Sequence, residues 1–318
     1  MLPFRPLLIV LAVAVIGYSA LWYTVAFRLE KDTAARLSAW RDQGLKVDYD
    51  TLDVGGFPYR LEMTLTKPRV STRSGGLSVR AGSLQVISHL WTPRLWVFLA
   101  DDAGGKLAGD AVIWSSVTLR GSLRLRKDDR LDLRFEPAAD SPLSLDRAPG
   151  TDRPVRLNDV FLALLTHPRT EIPRDALFEA PLIDIRLRAK TENGLLDFTG
   201  QVTGTGISDW TEKTLGRWRD SGGLFTVTAL DLMAGGTRFR GEGSLSLDEG
   251  FRPLGAFNGS LVQDGRLNRD LAGLGLEPVT DNGDIRTDTG NETSLMLQMG
   301  VLSVDGIPVS RLPPVVRD

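Results

Sequence analysis

Ser122 to Glu136 reads SLRLRKDDRLDLRFE, and its alternation decides the fold class. Leu123 and Leu125 alternate with arginines into Lys127-Asp128-Asp129-Arg130; Leu131, Leu133 and Phe135 alternate out again. A period of two with a polar, turn-forming centre predicts a β-hairpin with one apolar and one charged face. A two-faced strand of this kind belongs to an antiparallel sheet. A doubly wound parallel sheet, covered by helices on both sides, would show continuous apolar runs instead.

The same pattern recurs outward in both directions. In Tyr59–Thr66, Tyr59, Leu61, Met63 and Leu65 share one face, and Arg60, Glu62, Thr64 and Thr66 the other. In Pro181–Lys190, Ile183, Ile185 and Leu187 oppose Asp184, Arg186 and Arg188; in Arg238–Asp248, Phe239, Leu245 and Leu247 point inward. Leu295, Leu297, Met299 and Val301 alternate before an Asp305-Gly306 turn. Helical spacing is rarer. It predicts short helices over Arg156–Thr166 (Leu157, Val160, Phe161, Leu164, Leu165), over Ser208–Asp220 with an Asp209-x-x-Glu212 capping box, and over Gln263–Leu276.

One segment departs from all this. Leu7–Phe27 holds 21 residues without a charge, LLIVLAVAVIGYSALWYTVAF, which as a helix is about 30 Å long, the thickness of a bilayer's hydrocarbon core. Trp22 and Tyr23, followed by Arg28 and Lys31, form an aromatic and basic border. Gly17-Tyr18-Ser19 is a weak cleavage site; the uncut anchor is the expectation, because apolarity continues well past it. The helix is expected to run on to Gln43 and to end at Gly44. The expected organisation is a transmembrane anchor over 1–28, a juxtamembrane helix over 29–44 and a β-rich domain over 45–318, divided into two lobes by a Pro-rich connection at 137–154.

Composition excludes several function classes. A net charge of −2 gives no general pull toward nucleic acid, and the absence of Cys removes disulfides, thiol nucleophiles and cysteine metal sites. Asp288-Thr289-Gly290 matches the aspartic-protease triplet, but that chemistry needs two carboxylates and only one copy exists, so a turn is expected. His89 and His167 lack ligand spacing; His167 before Pro168 suits a helix end. Asp101-Asp102 and Asp128-Asp129 read as solvated turns, and Gly104-Gly105 and Gly235-Gly236 lack the Lys-Ser/Thr of a phosphate loop. No catalytic residue, metal site or cofactor is assigned, and an enzyme is not expected. Trp91 and Trp96, in HLWTPRLWVFLA, read either as core or edge-strand residues or as contacts with a membrane surface or lipid chain.

Four stretches carry a family resemblance: Gly56-Phe57-Pro58-Tyr59-Arg60 after a Val47–Tyr49 strand, Trp91-Thr92-Pro93, Gly241-Glu-Gly-Ser-Leu-Ser-Leu-Asp248, and Val304–Pro314. In this order they resemble the bacterial domain-of-unknown-function family 2125, common among alphaproteobacteria. That resemblance implies an inner-membrane anchor with the bulk of the chain in the periplasm, and no assigned activity. Gly241–Leu276 is also similar to the C-terminal part of AsmA-type envelope proteins, whose curved sheet with an apolar groove is implicated in moving phospholipid between membranes; this is an analogy of fold.

The expected fold is therefore mainly β: an antiparallel, curved or groove-forming sheet with a few short helices, after one N-terminal transmembrane helix. The strands outnumber the helices available to cover them. The expected function is to bind or guide an apolar ligand, a lipid, along the apolar face. Leu61, Met63, Leu65, Leu123, Leu125, Leu131, Leu133, Phe135, Phe239, Leu245 and Leu247 are the candidate residues. The alternative is a membrane-tethered structural or adaptor protein whose sheet face binds an envelope protein partner.

Overall fold

The computed structural model describes residues 4–42, 44–73, 75–107, 112–138, 140–147, 154–167, 181–204, 212–263, 277–278, 292–312 and 314. It opens with α1 (Phe4–Asp42), one helix about 58 Å long, long and apolar enough over its first part to cross a membrane. Gly44, at φ +96°, ends it: the Gly44 and Leu45 amides donate to the carbonyls of Arg41 and Trp40.

Strands follow in sequence: β1 (Lys46–Asp48), β2 (Thr51–Gly55), β3 (Leu61–Thr66), β4 (Arg69–Ser71), β5 (Leu77–Arg80), β6 (Ser83–Ser88), β7 (Leu95–Leu107), β8 (Val112–Leu125), β9 (Leu131–Pro137), β10 (Leu143–Arg147), β11 (Val155–Leu157), β12 (Asp159–Thr166), β13 (Pro181–Lys190) and β14 (Gly194–Thr203). After α2 (Glu212–Asp220) come β15 (Leu224–Ala234), β16 (Thr237–Leu247), β17 (Pro253–Val262), β18 (Glu277–Pro278), β19 (Glu292–Gln298), β20 (Val301–Val304) and β21 (Ile307–Arg311). All belong to one antiparallel sheet, and it does not close on itself. Its spine runs β2-β3-β6-β7-β8-β9-β12-β13-β14-β15-β16-β17-β19-β20-β21.

Near its start the sheet is creased. β1 and β2, β3 and β4, and β5 and β6 are consecutive strands that keep one register across breaks at Tyr49-Asp50, Lys67-Pro68 and Ala81-Gly82, and these breaks line up with Asp102 of β7. Registers on the two sides of the line agree, so the sheet bends without an inserted residue. Lys67 and Asp102 take left-handed backbone conformations on that line. Asp101-Asp102 is thus part of a bent strand and not a turn. The Asp101 carboxylate accepts from Thr118 at 3.0 Å and Ser83 at 3.3 Å. Beyond the bend Val47 and Val70 pack with Leu65, Leu52 and Leu84 against Leu37 of α1.

Three further expectations need correction. Arg156–Thr166 is strand, not helix: β12 pairs with β9 on one side and β13 on the other. The run is apolar at nearly every position, so it fits a helix face and a strand buried in a sheet equally well, and pairing on both edges decides. His167 accordingly follows a strand, and its ring lies 2.8 Å from the Asp184 carboxylate. Leu295–Val301 is not one strand: Met299-Gly300 is a hairpin tip with both residues at positive φ, Met299 being 70% exposed. Gly104-Gly105 lies within β7, where a Cβ on Gly105 would come 2.8 Å from Trp114 Nε1. The Asp128-Asp129, Gly235-Gly236 and Asp305-Gly306 turns are present. The Asp209 cap, most of Gln263–Leu276, Asp288-Thr289-Gly290, and 139 and 148–153 of the Pro-rich stretch lie outside the described residues; Leu143–Arg147 within that stretch is β10.

Candidate functional site

Paired residues of an antiparallel ladder share a face, so the registers can be followed strand by strand. Leu61, Met63 and Leu65 of β3 oppose Ser88, Val86 and Leu84. Val86 opposes Phe98 and Leu84 opposes Ala100; Trp96 and Phe98 oppose Leu123 and Gly121. Leu123 and Leu125 oppose Leu133 and Leu131; Leu133 and Phe135 oppose Leu164 and Leu162. These oppose Ile185 and Leu187, and the same side continues through Phe198, Leu230 and Phe239 to Phe257 and Leu295. All eleven candidate residues therefore stand on one face, although they come from strands far apart in sequence.

That face is covered unevenly. At its start α1 lies on it: Trp22 (2% exposed) and Ala26 pack on Leu61, and Leu37 packs on Leu65. At its far end Val227, Phe239, Phe257, Leu261, Leu297, Val304 and Val309 form a closed core, against which Phe198 and Leu245 pack. Between these, among the described residues, Leu182, at the register shift that opens β13, is the one buried apolar side chain of β8, β9, β12 and β13. Leu123, Leu133, Phe135, Leu162, Leu164, Ile185 and Leu187 are half-buried, and Leu125 and Leu131 are 36% and 40% exposed. Strand spacing makes this middle stretch about 15 Å across and about 20 Å along the strands. Phe98 and Phe135 meet edge to face at 5.1 Å over Gly121, where a Cβ would lie 2.2 Å from Phe98 Cζ.

The eleven residues thus divide. Leu61, Met63 and Leu65 sit under α1, Phe239 and Leu245 belong to or pack on the far core, Leu247 is half-buried at the end of β16 opposite Pro253, and Leu123, Leu125, Leu131, Leu133 and Phe135 line the open stretch. Sequence reasoning missed Val160, Leu162 and Leu164 because their segment reads as a helix. Trp96 and Phe98 were detectable from their spacing of two.

From β13 to β16 the opposite face is charged and self-paired. Arg188, Asp197, Asp231 and Arg240 form one cross-strand row from β13 to β16. Arg188 donates to Asp197 at 2.7 Å, and Arg238 and Arg240 both donate to Asp231. The Arg238 hydrogen bond holds the Asp231 carboxyl below the usual carboxylate range. Burial pushes Asp132 up, but hydrogen bonds from Arg134 and Arg126 outweigh it and the net direction is down. An open hollow of about 700 Å³ lies on this side, with Arg186, Asp197, Asp231, Glu242, Asn258 and Glu292 in its wall. Among the described residues no group of three His, Asp or Glu side chains is placed to hold a metal ion.

The molecule is thus a mainly antiparallel β protein with one long apolar N-terminal helix and an apolar sheet face that is closed at both ends and open in the middle. Residues 22–313 match a family described as uncharacterized protein conserved in bacteria (DUF2125), and the chain belongs to that family. Neither a curated protein nor a solved structure matches the chain.

Proposed function

We propose that this is a single-pass envelope protein, anchored in the bacterial inner membrane with its sheet in the periplasm, that binds or guides a lipid acyl chain along the open part of the apolar face. The observation that carries this reading is the half-buried apolar stretch from β8 to β13. Exposed apolar area of this extent is costly in water, and an acyl chain covering about 300 Å² of it would gain on the order of 7 kcal/mol. The stretch is also continuous, through β7, β6 and β3, with the sheet region on which α1 packs. The function is one of binding, without a reaction.

The test is a photo-crosslinking residue placed in the full-length chain at Leu133 or Leu164, with Arg134 on the opposite face as control. Phospholipid adducts at Leu133 and Leu164 but not at Arg134 support the reading. A discrete protein adduct at those positions, with no lipid, replaces it with the adaptor. An activity reporter fused at Asp318 that works only in the cytoplasm refutes the periplasmic placement.

A further inference from the structure

We infer that the β2–β3 loop (56–60) and the β6–β7 turn (89–94) rest in the interfacial layer of the bilayer that α1 enters. The inference relies on the anchor part of the reading above and not on lipid binding by the sheet.

The loop meets α1 inside its uncharged segment. The Phe57 ring stacks on Tyr23 at 5.6 Å and meets Trp22 edge-on at 5.4 Å. The Tyr18 hydroxyl donates to the Pro58 carbonyl, and the Trp22 indole N–H donates to the Arg60 carbonyl at 3.1 Å. Gly56 makes the approach: at φ +95°, a Cβ there would lie 2.8 Å from the Arg60 carbonyl oxygen. The neighbouring turn is tied to the same spot, because His89 Nδ1 lies 3.1 Å from the Tyr59 carbonyl oxygen and its ring stacks on Trp91 at 5.0 Å.

This level is about 6–14 Å along the helix axis before Phe27, where the uncharged run ends. Lipid-exposed loop backbone does not occur in the hydrocarbon region. If all of Leu7–Phe27 lay in hydrocarbon, the loop would lie there too. The conflict disappears when the hydrocarbon span ends near Leu21: the uncharged Leu7–Leu21 is about 22 Å long, and a span of this length crosses with local thinning of the bilayer. Phe57, Tyr59, Trp91 and Tyr23, 44%, 71%, 64% and 62% exposed, then stand together at the depth that amphipathic rings occupy in membranes. A bilayer is the occupant that fits, because the patch surrounds the helix that enters it. The membrane-side ends of β3 and β6, and with them the start of the apolar face at Leu61, would be held against the leaflet.

The chain has no Cys, so single-cysteine variants of the full-length protein can carry an environment-sensitive fluorophore in phosphatidylcholine–phosphatidylglycerol vesicles. Tyr59→Cys, Trp91→Cys and Thr92→Cys test the patch. Ile16→Cys reports the span, and Glu192→Cys, in the turn at the other ends of the strands, reports water. Quenching by lipids spin-labelled near the headgroup should be at least twofold stronger at 59, 91 and 92 than at 192. Quenching at those three equal to that at 192, while Ile16→Cys is quenched by deep labels, overturns the inference and spares the anchor. An unquenched Ile16→Cys overturns the anchor and the inference with it. Thr92→Cys keeps every ring in place, so a fold disturbed by the other two substitutions does not blur the outcome.

Discussion

Leu162 stands directly opposite Phe135 in the ladder between β12 and β9, and Phe135 stands directly opposite Gly121 of β8. This register joins the apolar side of the first nine strands to that of the C-terminal strands. It makes one face from two hairpin series. It also puts a glycine where Phe98 and Phe135 meet, so that the rings lie low over the sheet.

The closed and open parts of the face should respond differently to truncation. Leu261→Ala, in the far core at 2% exposed, should destabilise by about 2–5 kcal/mol. Leu133→Ala, half-buried, should cost about 1 kcal/mol or less. Denaturant midpoints of the full chain in mild detergent check this. Equal losses would mean that the middle stretch is covered as thoroughly as the core.

Trp22 joins the helix to the sheet. Trp22→Ala removes a side chain packed on Leu61 and a hydrogen bond to the Arg60 carbonyl, and should cost about 3–5 kcal/mol. Limited proteolysis should then cut β2 and β3 sooner than β15–β17, whose core is separate. Unchanged cleavage of β2 and β3 would show that the sheet start stands without α1.

Gly243 is required by contact and not by backbone conformation. A Cβ there would lie 2.6 Å from Phe257 Cδ1 and 2.3 Å from the Ala256 carbonyl oxygen, so Gly243→Ala should destabilise by about 2 kcal/mol. Gly55→Ala meets nothing within 4 Å and should be near neutral. The two melting temperatures, compared directly, decide.

Asp132, Asp231 and Asp248 all titrate below the ordinary carboxylate value of 3.8 in the folded chain. For Asp248, burial raises the value, and hydrogen bonds from the Arg252 amide and guanidinium more than offset it. A lowered folded-state value means that the unfolded chain binds more protons in that range. These groups therefore stabilise the fold above about pH 4, and the contribution is lost as pH falls through the folded-state values. Asp132→Asn should cost about 1–2 kcal/mol at pH 7, a penalty that shrinks toward pH 3. A penalty independent of pH would show that Asp132 acts by shape alone.

The sequence by itself determined the elements that rest on local period. Two-residue alternation in Tyr59–Thr66, Ser122–Glu136, Pro181–Lys190 and Arg238–Asp248 reflects strand geometry, and each lies in the sheet except at Tyr59 and Arg60, which belong to the loop before β3. The uncharged run and Gly44 fixed the long helix and its end, because helix length and a left-handed terminus are local properties. Tertiary structure decided the rest. Arg156–Thr166 became a strand only because β9 and β13 offer it hydrogen-bonding edges on both sides. The bend at Asp102 arises from breaks aligned across strands that are remote in sequence. Whether a Leu on a two-faced strand is core, as Leu61 is, or open, as Leu131 is, depends on what crosses over it. That is a long-range contact, to which the residue's own neighbours carry no clue.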